Sequence, residues 1–313
     1  MQYCMLCRNS ELSLISEFSV TDLAALYTRY YGIDVVGEFR GVDHVAYLEC
    51  GNCGLRFFDP PSAGSPLYYD KLVARSSASY YAEGKDEYAF ASTLISDNDT
   101  VLDVGAGAGN FAKYVKGVYV GLDFNPFAIN LAKEQNVNVI SDSLDSHAKE
   151  NPERYSVVTC FQVMEHIPEP HYFIESCLRT LRPGGLFIVS VPSEDSWVPM
   201  QENSILNMPP HHVSRWTDMC LTHLSDLFGI ELLRLEHEEL SKAHVEPFCL
   251  AMSQRLVRSL LGLKSNKLID LSLKAKAVAI ISHWLVPKFK TSLSPSEIHP
   301  RGHSVTAVYR KKI

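Results

Sequence analysis

The stretch Val101-Leu102-Asp103-Val104-Gly105-Ala106-Gly107-Ala108-Gly109-Asn110 limits this chain more than any other. An apolar strand runs directly into three glycines spaced every second residue. Phe111, Tyr114 and Val115 then share one face of a following helix. Glycines are needed where a ligand lies against the backbone, because a Cβ there would collide with it. The backbone N–H groups and the helix N-terminus then face that ligand. One strand later, Gly121-Leu122-Asp123-Phe124-Asn125-Pro126 sets an acid at a strand's C-terminal end, where a carboxylate can accept hydrogen bonds from both hydroxyls of a ribose. Dinucleotide sites favour G-x-G-x-x-G/A, which asks for a small residue at position 110, and that residue is Asn110. Asn110 thus counts against an NAD-dependent oxidoreductase, which stays as an alternative because Asp123 would suit its ribose equally well.

From Thr100 onward, short β-branched runs alternate with helical patterns, which reads as βαβ units around a parallel sheet. The expected strands are Val101–Val104, Val118–Leu122, Val137–Ile140, Val157–Phe161, Leu186–Val191 and Ile230–Leu235, with Ser304–Tyr309 near the C-terminus. Asn125-Pro126 reads as an N-cap followed by proline at the first helical position. Thr217-Asp218 opens another helix that Gly229 closes. A mostly helical segment intervenes before the last strand. The expected division is a small module over 1–60, a helical linker over 61–98, an α/β domain over 99–241 and 297–313, and a helical insertion over 242–296.

The order Asp103-x-Gly105-x-Gly107-x-Gly109 resembles the first motif of the class I S-adenosylmethionine-dependent methyltransferases. Phe161-Gln162-Val163-Met164-Glu165-His166-Ile167-Pro168 and Leu181-Arg182-Pro183-Gly184-Gly185 resemble later motifs of that family, and Ser141-Asp142-Ser143 falls where its members contact adenine. The resemblance implies a Rossmann-like sheet of seven strands with the last antiparallel. It also implies that S-adenosylmethionine is held by Asp103, Gly105, Gly107, Gly109, Asp123, Phe124, Asp142, Ser143 and Phe161. A methyltransferase-like fold that binds cofactor without turnover is a further alternative.

Four of the eight cysteines form two C-x-x-C pairs, Cys4/Cys7 and Cys50/Cys53, with 42 residues between them. Two such knuckles can present four thiolates tetrahedrally to Zn2+ at a structural, zinc-ribbon-like site. No basic-then-apolar leader pattern precedes them, so metal is expected before disulfide and the cytoplasm is the expected location. Cys160 and Cys177 sit in apolar patterns and read as core. An N-terminal zinc module before this domain resembles enzymes of deoxysugar and polysaccharide biosynthesis, including sugar C-methyltransferases. The acceptor that resemblance implies is a sugar or nucleotide-sugar, methylated on oxygen or carbon.

Such a transfer needs a proton acceptor, and histidine is the usual base near neutral pH. Pro209-Pro210-His211-His212-Val213-Ser214-Arg215-Trp216 resembles a histidine motif of the sugar methyltransferases, which makes His212 the first candidate, with His211 beside it. His166, closing the fourth strand of the domain, is the other. Tyr80, Tyr81 and Tyr88 read as packing residues, one of which could close over the cofactor.

A net charge of −7 excludes a general nucleic-acid binder, which needs a basic footprint to neutralise phosphates. The charge is uneven, however: residues 251–290 hold eight Lys and Arg against Asp270 alone. They read as the solvated face of a helix pair, with a peripheral contact to a phosphate-bearing or membrane-surface partner as the alternative.

Overall fold

A computed structural model describes residues 3–76, 85–263, 267–292 and 300–313. In chain order these form β1 (Leu12–Ser19), α1 (Val20–Tyr31), β2 (His44–Cys50), β3 (Arg56–Asp59), α2 (Pro66–Ser76), α3 (Asp86–Ser92), β4 (Thr100–Val104), β5 (Val118–Leu122) and α4 (Pro126–Glu134). Then come β6 (Val139–Ile140), α5 (Leu144–Glu150), β7 (Tyr155–Phe161), α6 (Pro170–Thr180), β8 (Leu181–Pro192), β9 (Ser214–Arg215) and α7 (Asp218–Phe228). The chain ends with β10 (Ile230–Glu239), α8 (Val245–Leu260), α9 (Leu273–Ser292) and β11 (Arg301–Lys311). Tyr80 and Tyr81 lie outside the described residues.

Seven strands form the main sheet in the order β10-β11-β8-β7-β4-β5-β6, and β11 runs antiparallel to both of its neighbours. This is the Rossmann-like methyltransferase arrangement the sequence led us to expect. The alternation of strand side chains supplies both faces with apolar cover. Leu102, Val158, Cys160 and Phe187 pack with Ile174 and Cys177 of α6 and Leu224 of α7, whereas Val101, Val157 and Ile188 pack on the opposite side with Tyr88 and Ala91 of α3 and with Phe111. Cys160 and Cys177 are thus core residues. The helix boundaries follow their caps: Asn125 accepts from the N–H of Phe127, Thr217 accepts from that of Cys220, and Gly229 closes α7 in the left-handed conformation. The third strand of the domain is shorter than expected, since Asn136 turns left-handed and Val137 still bonds back to Ala132.

A second, antiparallel sheet has the order β1-β2-β3-β9. Its first three strands come from the N-terminal segment, but β9 comes from just after the His211-His212 pair. Arg56 and Phe57 register with Arg215 and Ser214, so a later segment completes the N-terminal sheet. Beside this seam, Glu194 Oε1 accepts from the Tyr47 hydroxyl at 2.7 Å and from Arg56 at 3.2 Å, with Arg215 Nη1 3.8 Å away. The Arg215 guanidinium lies over the rings of Tyr47 and Phe58, 4.8 and 5.2 Å from their centroids. Without Arg215, Glu194 would keep Tyr47 and Arg56, but the Asn207 carbonyl would lose its buried charged donor and the two rings their cation, a loss of about 2–4 kcal/mol. Arg215→Ala should therefore lower unfolding stability by that amount in urea titration, and a loss below about 1 kcal/mol would show the seam to be incidental.

Candidate active site

The glycine turn between β4 and the following helical turn is held down from two directions. The N–H groups of Gly105 and Ala106 both donate to the carbonyl of Leu122 on β5, and the N–H of Gly107 donates to Asp123 Oδ2 at 2.7 Å. Gly105 has φ +74°, and a Cβ there would stand 2.4 Å from Val163 Cγ2. Gly105, Gly107, Asp123, Phe124, Asp142 and Phe161 all border one cavity of about 960 Å³. That volume lies at the upper end of the roughly 300–1,000 Å³ usual for small-molecule sites, enough for two ligands side by side. The Phe124 ring is 70% exposed at this cavity, an apolar surface open to a planar group.

Three of the anticipated cofactor residues stand behind the wall instead. Asp103 is buried in β4 and accepts from the hydroxyls of Tyr119 and Thr159, both at 2.8 Å, and burial pushes its carboxyl up to about 6. It braces the strand that presents the turn. Gly109, at φ +73°, makes room for Val137, whose Cγ1 would be 2.5 Å from an added Cβ. Ser143 caps α5 by accepting from the N–H of Ser146. An acid before a glycine turn and a hydroxyl before a helix have the same sequence signature whether they face ligand or backbone.

All three candidate histidines come together. His166, on a short turn after β7, and His211 and His212, on the loop before β9, border the same cavity. Their ring centroids lie 4.7–4.9 Å apart, and nitrogens of the three lie within 4.8 Å of one another, close enough to share a proton or to hold a metal ion. Glu165 lies beside them, with Oε1 3.9 Å from His166 Nε2 and 4.0 Å from His212 Nε2. The loop is pinned through its backbone: Val213 donates to the carbonyl of Glu165 at 2.8 Å, and Phe58 of β3 donates to that of Val213 at 3.0 Å.

Neighbours fix which ring nitrogens are available. His166 Nδ1 lies 2.6 Å from the carbonyl oxygen of His211, and His212 Nδ1 lies 3.1 Å from Asn207 Oδ1. A carbonyl only accepts, so these contacts put each proton on Nδ1 and leave the Nε2 lone pairs of His166 and His212 toward Glu165. Asn207 is itself held by Arg215, whose Nε donates to its carbonyl at 2.9 Å. The sequence alone gives no sign of Asn207 or of Tyr69, whose hydroxyl lies 3.2 Å from His166 Nδ1. Asn207 meets His212 within one irregular loop, whose local turns no sequence pattern specifies, and Tyr69 on α2 meets His166 only through the tertiary fold.

Burial sets the charges. It pulls His166 down to about 4 and His211 and His212 well below their ordinary range, and it pushes the Glu165 carboxyl up to about 8. Histidines kept neutral in the fold but free to protonate near 6.5 when unfolded make the unfolded chain bind more protons, so stability falls as pH drops from about 6.5 toward 4. Glu165 acts in the opposite sense, its contribution being lost as pH rises from 4.5 toward about 8, but three histidines outweigh one carboxyl below 6.5. Urea titrations at pH 7 and pH 5 should show a loss at pH 5 that shrinks in His166→Gln. An unchanged loss in that variant would mean that His166 titrates normally in the fold.

The four N-terminal thiols also converge. Cys4 Sγ is 3.6 Å from Cys53 Sγ and Cys7 Sγ is 3.5 Å from Cys50 Sγ, with all four inside 4.8 Å. Thiolates around zinc at about 2.3 Å would stand roughly 3.8 Å apart, so the spacing fits that ion. The N–H of Leu6 points at Cys4 Sγ at 3.4 Å, as suits a charged sulfur.

A family model described as a methyltransferase domain matches residues 75–235, just over half of the chain. A ubiquinone biosynthesis O-methyltransferase of Serratia proteamaculans is 41% identical over 95 residues, covering 28% of this chain and 39% of that protein. Another from Pectobacterium carotovorum is 34% identical over 162 residues, covering 49% and 63%. The chain thus spans between two fifths and two thirds of these relatives' length. Among solved structures, an S-adenosylmethionine-dependent methyltransferase from Archaeoglobus fulgidus aligns at 16% identity and TM-score 0.47, covering 78% of this chain and all of that one. With the glycine turn, the strand order and the matched span in agreement, the chain belongs to the class I S-adenosylmethionine-dependent methyltransferase domain family.

Proposed function

We propose that this protein transfers a methyl group from S-adenosylmethionine to a hydroxyl oxygen of a small molecule, with His212 as proton acceptor and His166 and His211 completing its surroundings. The observation that carries this reading is the single cavity bordered by the glycine turn and Asp123 as well as by all three histidines. When bound, S-adenosylmethionine supplies an electrophilic methyl group on its sulfonium. The backbone of Gly105 and Gly107 would lie along it, Asp123 would accept from its ribose hydroxyls, and Phe124 and Asp142 would flank its base. Alignment of the acceptor in line with the C–S bond is then the enzyme's main task.

The proton has a defined route. Asn207 keeps His212 as the tautomer with a free Nε2, which takes the acceptor's proton as the new bond forms. Glu165 Oε1 lies 4.0 Å from the same nitrogen, and burial keeps that carboxyl protonated at neutral pH, so it stands there as a polar neighbour without charge. General-base assistance of this kind contributes about 10²–10⁴-fold. Its oxygen acceptor is favoured by the relatives' O-methyltransferase names.

Those names give the sugar and polysaccharide expectation no support, because they belong to ubiquinone biosynthesis. The cavity agrees: Lys85 is its one Lys or Arg among the described residues, too little for a nucleotide-sugar's diphosphate, and Tyr69, Ile167, Val198 and Leu206 make much of its wall apolar. A hydroxylated, largely apolar acceptor fits it better. The turn offers nothing that favours the NAD alternative: Asn110 still stands where a small residue would be required.

S-adenosylhomocysteine titrated into the protein should bind once per chain. His212→Ala should leave that affinity within a few-fold while lowering turnover with hydroxylated aromatic acceptors by about 10²–10⁴-fold. Turnover within a few-fold of the parent would remove His212 as base, and absence of cofactor-product binding would overturn the cavity's assignment.

We further propose that Cys4, Cys7, Cys50 and Cys53 hold a structural Zn2+. Without a cation, Cys4 is driven far up by its hydrogen bond to Cys53 and by burial, a crowding that thiolates around a divalent ion would relieve. One zinc per chain should be found by elemental analysis, and Cys50→Ser should release it and lower the unfolding midpoint. A metal-free parent of equal stability would count against the site. The division into a 1–60 module, a 61–98 linker, a domain over 99–241 and 297–313 and a 242–296 insertion is likewise our proposal, with the β3–β9 pairing joining the first part to the third.

A further inference from the structure

The helix α9 has two apolar faces. Ala275, Val278, Ser282 and Val286 are buried, and they recur at the three- and four-residue spacing of one helix stripe that packs toward α8. On the opposite side Leu273, Ala277, Ile280 and Trp284 follow the same spacing and face outward. Leu273 is 82% exposed, Ile280 64% and Trp284 81%. At 100° per residue the two stripes lie almost diametrically opposed. An ordinary surface helix keeps its outer face polar, so a second stripe calls for a second apolar environment.

The flanks say which. Lys274 and Lys276 are exposed on either side of the outward stripe, with Lys288 further along. Of the eight Lys and Arg in 251–290, Arg258 is buried against Glu202 and Asp270 and Lys290 pairs with Glu246, so the cations beside the stripe itself are Lys274, Lys276 and Lys288. A second copy of this chain would bring the same positive charge face to face with itself. An anionic bilayer instead offers apolar depth for Leu273, Ile280 and Trp284 and phosphates for the lysines. Tryptophan with its ring outward on a helix is the side chain that settles at such an interface. No helix among the described residues is long and apolar enough to cross a membrane, so this one would lie in the surface plane.

We propose that the outward face of α9 docks the protein onto anionic membrane surfaces, with Leu273, Ile280 and Trp284 inserted among the acyl chains and Lys274 and Lys276 on the headgroups. This surface is separate from the cavity, so the inference stands whether or not the methyl-transfer reading holds.

Trp197 and Trp216 are buried, so the emission of exposed Trp284 reports contact directly. The full chain should co-sediment with phosphatidylcholine vesicles containing phosphatidylglycerol, with a blue shift of its emission, and should not bind phosphatidylcholine alone. The bound fraction should fall as salt is raised. Lys274→Glu with Lys276→Glu should weaken binding at least tenfold, as should Ile280→Ser with Leu273→Ser. Both pairs change exposed residues, and circular dichroism of each confirms folding. Failure to bind at any phosphatidylglycerol content, or binding untouched by the Ile280→Ser pair, would overturn the proposal. So would sedimentation equilibrium showing a dimer that the same pair dissolves, because a second copy would then cover the face.

Discussion

Two residues of antiparallel pairing join the N-terminal sheet to the histidine loop. Arg56 and Phe57 of β3 register with Arg215 and Ser214 of β9, and the strand so captured continues directly from His211 and His212. Val213, between histidines and strand, bonds through its carbonyl to Phe58 and through its N–H to Glu165. The N-terminal sheet is therefore a support for the histidine loop and does not stand apart from it. Cys50 closes β2 and Cys53 lies in the turn before β3, where they meet Cys4 and Cys7 from the segment ahead of β1. A metal there would stiffen the strand against which the loop is built.

The proposed proton transfer depends on burying imidazoles that ordinarily titrate near neutrality. Three histidines and a carboxyl share one buried corner, and burial leaves the imidazoles neutral while holding the carboxyl's proton into the neutral range. Neutral imidazole is the form that accepts a proton, and a carbonyl partner on Nδ1 decides which nitrogen does so. Asn207 and the His211 carbonyl are such partners, and Arg215 links Asn207 to the β3–β9 seam. One arginine thus serves both folding and the orientation of a ring.

Much of this was legible in the sequence, for physical reasons. The main strands are short runs of β-branched residues and the caps are strong local signals, so these elements could be placed from the residues, whereas the seven-stranded sheet with its antiparallel last strand was anticipated only through the family resemblance. The convergence of His166 with His211 and His212 was also within reach, since parallel strands deliver the loops after their C-terminal ends to one edge. Asp103, Gly109 and Ser143 show the limit. Each has the residue type of a ligand contact, yet one braces β4, one admits Val137 and one caps α5. Tyr69 and the β9 pairing were invisible because they depend on contacts between distant segments, and Asn207, only five residues from His212, because it lies on an irregular loop with no pattern to say which side chain meets the ring. The second apolar stripe of α9 was hidden differently: two opposed stripes read as a nearly continuous apolar run, and only burial separates the inward face from the outward one.

Methyl transfer to an acceptor at the histidine corner requires one orientation, with the cofactor's ribose at Asp123 and its sulfur facing His166 and His212. A crystal structure of the protein with S-adenosylhomocysteine measures this most directly. We expect the ribose hydroxyls on the Asp123 carboxylate and the sulfur directed toward His166 and His212. A product molecule seated elsewhere, or with its sulfur turned away from those rings, would contradict the account.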